Sequence, residues 1–229
     1  MRFIPTILLS TAVLISSYAE EKISNYHLAI GVSAGGSYSH IKADKLMEHY
    51  FSPTEGTTKQ TSPSCGVNVD FYAGRFAAVS SGLVYLKLGQ YSKKTNIYYR
   101  DSPFEHELST SSLVDYVGVP IILKGGINLS HMTFFVRGGI IPLYKMKESI
   151  SWTVDDKELL VGDRRPYVEI NQWNQLATVG AEGGVWLGDN GIFLSVDYSY
   201  GTQSFAKGIE GDALHRAAVV YLKYVMRIF

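Results

Sequence analysis

Residues 175–201 read QLATVGAEGGVWLGDNGIFLSVDYSYG, and their alternation decides the fold. Ala177, Val179, Ala181, Gly183, Val185 and Leu187 share one parity; Thr178, Gly180, Glu182, Gly184 and Trp186 share the other. Successive side chains of a strand point to opposite faces, so each set occupies one side. Gly188-Asp189-Asn190-Gly191 then supplies a turn. Beyond it, Ile192, Leu194, Val196, Tyr198 and Tyr200 alternate with Phe193, Ser195, Asp197 and Ser199. The hairpin has one continuous apolar face ending in tyrosines, and one face of glycine and charge. A barrel with lipid outside and a polar interior has that pattern. A soluble barrel points its apolar set inward and its polar set to water.

The same alternation recurs upstream. Residues 26–38 place Tyr26, Leu28, Ile30, Val32, Ala34, Gly36 and Tyr38 outward, with His27, Ala29, Gly31, Ser33, Gly35 and Ser37 inward. Residues 65–73 put Val67, Val69 and Phe71 outward and Asn68, Asp70 and Tyr72 inward. Over 78–91 the reading is Val84, Leu86 and Leu88 outward, Tyr85 and Lys87 inward. Residues 113–124 set Val117, Val119, Ile121 and Leu123 against Tyr116, Gly118, Pro120 and Lys124. Proline lacks a donor N–H, so a local ladder defect is expected at Pro120. Residues 132–146 set Phe134, Val136, Gly138 and Ile140 outward and Phe135, Arg137 and Gly139 inward. From 213 onward Ala218, Val220, Leu222, Tyr224, Met226 and Ile228 are outward, with Lys223 and Arg227 opposite.

Eight strands result: an all-β, eight-stranded antiparallel up-and-down transmembrane β-barrel. Polar connections at 40–63, 92–110, 147–172 and 201–212 alternate with short turns near 74–76, 125–130 and 188–191. Tight turns in the periplasm and longer loops outside the cell predict that asymmetry and put both termini on the periplasmic side. Tyr26, Tyr38, Tyr91, Tyr144, Trp186, Tyr198, Tyr200 and Tyr224 suit the two interfacial girdles.

Lys+Arg and Asp+Glu both number 21, so the net charge is zero and no global field recruits nucleic acid. The single cysteine, Cys65, excludes an internal disulfide and a Cys-rich metal site, and reads as a small packed strand residue. Arg2 followed by an apolar run from Phe3 to Ile15, then Ser17-Tyr18-Ala19, reads as a secretory signal peptide over 1–19. The barrel domain is then 20–229, destined for the outer membrane. No later apolar run reaches the ~18–20 residues of a membrane helix.

The inward set contains Asp70, Lys87, Lys124, Arg137, Glu182, Asp197, Lys223 and Arg227. Isolated charges are costly in a low-dielectric interior, and an eight-stranded barrel is just wide enough for its own side chains to fill. These charges are therefore expected to form a structural salt-bridge cluster; Arg137 and Lys223 are both candidate partners for Glu182 and Asp197. His27, His40, His49, His106, His131 and His215 lack metal-ligand spacing and read as loop or rim residues. No catalytic, cofactor or metal site is expected. Ser204, Glu210 and His215 leave open a hydrolase arrangement at the rim, as in barrel lipid deacylases. A soluble lipocalin-like carrier is the other alternative.

Three segments carry a family resemblance. Tyr116-Val117-Gly118-Val119-Pro120-Ile121-Ile122-Leu123-Lys124 resembles a Tyr-x-x-Ile-Pro-Leu-x-x-Lys strand. Gly82-Leu83-Val84-Tyr85 through Gly89 matches a third strand, and Val179-Gly180-Ala181-Glu182-Gly183 with Val196-Asp197-Tyr198-Ser199-Tyr200-Gly201 a hairpin. The chain thereby resembles the outer-membrane β-barrel proteins of Bacteroidota-type bacteria, which include PorT-like, porin-family barrels. The resemblance implies a non-enzymatic surface barrel acting through its loops in envelope organisation, secretion or partner binding. It also implies outer-membrane lipid and, during insertion, the barrel-assembly machinery as partners. That machinery reads a terminal outward aromatic; here the chain ends on Phe229, while the apolar parity ends on Ile228.

Overall fold

The computed structural model describes residues 26–43, 57–92, 95–98, 105–129, 131–155, 157–159, 169–207 and 212–228. Residues 1–25, where the signal peptide is expected, lie outside the described residues, as does Phe229. Among the described residues thirteen strands form in chain order: β1 (Tyr26–Ala43), β2 (Thr57–Ala73), β3 (Ala77–Ser92), β4 (Thr95–Tyr98), β5 (Glu105–Gly118), β6 (Ile121–Asn128), β7 (Met132–Val154), β8 (Lys157–Leu159), β9 (Glu169–Ile170), β10 (Trp173–Leu187), β11 (Asn190–Gly201), β12 (Ala206–Lys207) and β13 (Ala213–Arg227).

Eight barrel strands, with β5 and β6 counted as one, close a ring. Every neighbour is antiparallel, and the ring shuts where β13 pairs with β1, from Ala29 opposite Arg227 to Ala43 opposite Ala213. Closure leaves no unpaired edge, which is what a strand in lipid requires. β5 and β6 act as one barrel strand, since both pair with β3 on one side and with β7 on the other. They part at Val119 and Pro120, the defect expected there. Ser80 faces Ile122 and Val84 faces Gly118, which sets Gly82 opposite Pro120. Gly82 takes φ +146°, a conformation open to glycine where the proline offers no donor. The Val119 amide is satisfied instead by the Pro142 carbonyl at 3.1 Å.

The facing of the side chains fixes the barrel type. Val179 is 52% exposed, Val196 49% and Leu222 60%, whereas Glu182 is 3% and Asp197 5%. Apolar residues cover the outside and charged ones lie within, so this is an eight-stranded transmembrane-type barrel. A lipocalin-like barrel needs the reverse. Tyr26, Tyr38, Tyr91, Tyr144, Tyr198, Tyr200 and Tyr224 are outward and exposed. Trp186, expected among them, is instead buried in the lumen. Its even parity, shared with Glu182, outweighs its residue type. Cys65 is exposed on the outer surface rather than packed.

β3 corrects one parity. Val84, Leu86 and Leu88 are buried and face inward, while Leu83 is exposed and Lys87 partly so. The run Leu83-Val84-Tyr85-Leu86 is apolar on both faces, so alternation alone does not orient it. Orientation comes from the lumen, where Leu86 and Leu88 pack with Val114, Tyr116 and Leu143. The polar connections are also shorter than expected. β2 begins at Thr57, β5 at Glu105, and β7 runs on to Val154, paired with Leu108. Beyond the apolar belt a ladder needs no apolar face, so these polar stretches look like loops in sequence and are strands in space.

Candidate functional site

The lumen is built in layers. At the end with the short turns lies an aromatic floor. The Trp186 ring meets Phe193 edge-on at 5.1 Å, and His27 stacks on Tyr72 at 4.3 Å. The Arg227 guanidinium sits 3.9 Å from the Trp186 ring centroid, a cation–π contact. Trp186 Nε1 donates to Thr133 Oγ1 at 3.0 Å, and Thr133 donates to Asn128 Oδ1 at 2.8 Å. Gly184 makes room for this packing, because a Cβ there would collide with the Phe193 ring and the Ile192 carbonyl.

The ionic layer comes next. Glu182, on β10, is its centre. Lys124 Nζ donates to Glu182 Oε1 at 2.6 Å and to Asp70 Oδ1 at 3.0 Å. Arg137 Nη1 donates to Glu182 Oε2 at 2.8 Å, and Lys223 Nζ donates to the same oxygen. Arg137 Nε lies 3.1 Å from Asp197 Oδ1. The register explains the convergence. Gly180 and Glu182 on β10 face Arg137 and Phe135 on β7, and Lys124 on β6 faces Arg137. On the other side Gly180 faces Asp197. Three carboxylates (Asp70, Glu182, Asp197) meet three cations (Lys124, Arg137, Lys223), so the layer is neutral. Such pairing is what makes buried charge tolerable.

Above it lies a hydroxyl layer, in which Ser199 donates to Thr178 Oγ1 at 3.0 Å and Ser37 Oγ to the Lys87 carbonyl at 2.9 Å. In the upper lumen Leu86, Leu88, Val114, Tyr116, Leu143, Leu176 and Val219 form an apolar cluster, with Gln90, Ser112, Asn174 and His215 buried among the inward rows. Ile170, Phe205 and Ala206, from the connections, pack into the same cluster at the mouth. β9 pairs with β12, and Phe205 stacks on His215 at 4.1 Å. His215 Nε2 shares a 3.1 Å hydrogen bond with Tyr116 Oη.

Six of the eight residues expected in the lumen cluster thus meet. Lys87 does not: the reversed parity of β3 points it outward, 3.7 Å from Asp115. Arg227 is inward but sits on the aromatic floor, over the Trp186 ring, rather than in the ionic layer. Two histidines differ from the rim reading, since His27 and His215 are buried inside the barrel. Their inward parity was visible in the sequence, but residue type suggested a loop. His49 and the side chain of His106 lie outside the described residues. The rim arrangement is not assembled by Ser204 and His215. The His215 Nε2 is engaged by Tyr116, while Ser204 Oγ donates to the Ala206 carbonyl and accepts from the Ala213 amide. Glu210 lies outside the described residues. No group of three metal-ligating side chains occurs among the described residues.

No protein-family model matches the chain, so the resemblance to Bacteroidota-type barrels rests on its three segments. No curated protein matches it in sequence. Among solved structures it is similar to Ail, the attachment invasion locus protein of Yersinia pestis, crystallised with the heparin analogue sucrose octasulfate. The two are 9% identical over 87% of this chain and 99% of that one, with a TM-score of 0.40. It is similar to the outer membrane protein OprG of Pseudomonas aeruginosa at 12% identity, over 89% and 95% of the two chains, TM-score 0.38. Neisserial surface protein A follows at 9%, over 87% and 99%, TM-score 0.36. At these values no ligand or activity carries over.

Proposed function

We propose that this protein is a non-enzymatic outer-membrane barrel with a side-chain-filled lumen, which acts through the long connections at one end. Residues 1–19 serve as its signal peptide, both termini lie in the periplasm, and the lumen charges are a structural plug. The observation that carries the reading is the pairing of an outward apolar belt with a neutral, buried ionic layer. A soluble protein gains nothing from that arrangement, whereas lipid makes the outward residues favourable. An aromatic floor, an ionic layer and the buried side chains above them support a lumen filled by side chains. Work is thereby left to the long connections, and partner binding in envelope organisation or secretion is the role the family resemblance points to.

The test is fractionation with gel migration. The protein should sediment with outer membranes, require detergent for extraction, and migrate faster unheated than boiled. Recovery in the soluble periplasm, with no heat-dependent migration, would end the reading. Crosslinking through residues 147–172 would then identify the partner.

A further inference from the structure

At the end with the long connections, just above the apolar belt, the outer surface of β11, β13, β1 and β2 turns basic. Ala218 on β13 lies opposite Tyr198 on β11 and Tyr38 on β1. Both tyrosines point outward and are about half exposed, at 44% and 48%. They form two walls over a small floor. Two residues further along β13, Arg216 lies opposite Tyr200 and His40. Ser39 faces Gln60, which brings Lys59 alongside His40. Lys59 Nζ rests 5.1 Å from the Tyr38 ring centroid. A shallow groove of about 260 Å³ opens here, lined by Tyr198, Tyr200, Gly201, Leu214 and Arg216. Toward the middle of the barrel the same rows become Val220 and Leu222 on β13 and Val196 and Leu194 on β11, all outward.

We propose that this slot binds the phosphate-bearing headgroup of an anionic membrane lipid. The phosphate meets Arg216 and Lys59, and the acyl chains run down the apolar rows beneath. Arginine offers a fork of donors matched to phosphate oxygens, and lysine a mobile point charge. Tyrosines at headgroup depth fit the same boundary. Two outward cations elsewhere on the barrel have carboxylate partners, Lys87 with Asp115 at 3.7 Å and Lys145 with Glu148 at 2.8 Å. Arg216 and Lys59 have none among the described residues. Arg216 lines the groove and Lys59 stands across β1 from it, over the Tyr38 ring, with apolar rows running on toward the middle of the barrel; a lipid satisfies the charge and the apolar surface at once. A free anion would satisfy only the charge. The inference rests on the barrel lying in a membrane.

The experiment is native mass spectrometry of the folded full-length barrel in detergent, with diphosphorylated lipid A as the probe. Dephosphorylated lipid A and millimolar inorganic phosphate are the comparison arms. The wild type should retain the diphosphorylated probe, and Arg216→Ala with Lys59→Ala should weaken retention about 30-fold, since each surface cation is worth about a factor of five against an anionic lipid. Lys87→Ala should leave it unchanged. Should the double variant not fold, Arg216→Gln carries the test with an expected loss of about fivefold. Equal retention by wild type and variants overturns the proposal, as does equal retention of the dephosphorylated probe or displacement by inorganic phosphate. Heat-dependent migration is run on every sample. Its loss in the wild type counts against the membrane reading itself, and its presence with no lipid retained counts against this inference alone.

Discussion

Lys124 Nζ lies 2.6 Å from Glu182 Oε1, and the other oxygen of that carboxylate accepts from both Arg137 and Lys223. One anion on β10 therefore holds three cations from β6, β7 and β13, on both sides of the lumen. Glu182→Gln keeps the shape and removes the charge, leaving Asp70 and Asp197 against three cations. Breaking a buried pair from one side costs about 3–5 kcal/mol, because charge is left uncompensated. We expect a loss of that size in detergent, read from the guanidinium midpoint of folded barrel. A change below about 1 kcal/mol would show that the layer does not depend on its central carboxylate.

Lys87 and Asp115 give the contrast. Their 3.7 Å pair is outward, with side chains 31% and 19% exposed. Pairs near water contribute about 0–1 kcal/mol, and screening reduces that further. Lys87→Ala should therefore shift the same midpoint by less than about 1 kcal/mol. Equality with Glu182→Gln would place Lys87 in the lumen and reverse the parity assigned to β3.

Much of this architecture was legible in residues 175–201, because β10 and β11 alternate without exception and their register brings Glu182, Gly180 and Asp197 to one side. Asp70, Lys124, Arg137 and Lys223 were legible for the same reason: each stands alone among apolar neighbours of opposite parity. Lys87 was not, since Val79 and Leu83 face out while Val84, Leu86 and Leu88 face in, and a strand apolar on both sides has no phase to read. Trp186 shows the limit of composition. Tryptophan suits an interface in general, but here its N–H has Thr133 and its ring has Arg227. The pairing of individual charges, and the floor and mouth of the lumen, depend on strand stagger, which single-strand periodicity does not contain.

The two faces of the barrel can be told apart by fluorescence. The chain has three tryptophans. Trp173 is outward, 64% exposed, and packs edge-on against Tyr144 at 5.0 Å, whereas Trp186 is enclosed with His27, Tyr72 and Phe193. In vesicles of brominated lipid, Trp152→Phe with Trp186→Phe reports Trp173, and Trp152→Phe with Trp173→Phe reports Trp186. Strong quenching is expected for the first and weak quenching for the second. Equal quenching would mean that Trp186 touches lipid and that the floor is not closed.

Val196 tests the outer surface itself. It stands midway along the outward row of β11, between Leu194 and Tyr198, and opposite Val220 on β13 and Ala181 on β10. In lipid, an arginine near the middle of such a row costs about 2–4 kcal/mol, falling toward zero near the interfaces. Val196→Arg should lower the reversible folding free energy into vesicles by that amount, and Tyr200→Arg, nearer the rim, by far less. In water the ranking vanishes, because an exposed arginine costs little at either place. A depth-dependent penalty therefore identifies lipid as the solvent of this face, and equal, small effects at both positions would show that the apolar belt is covered by something else.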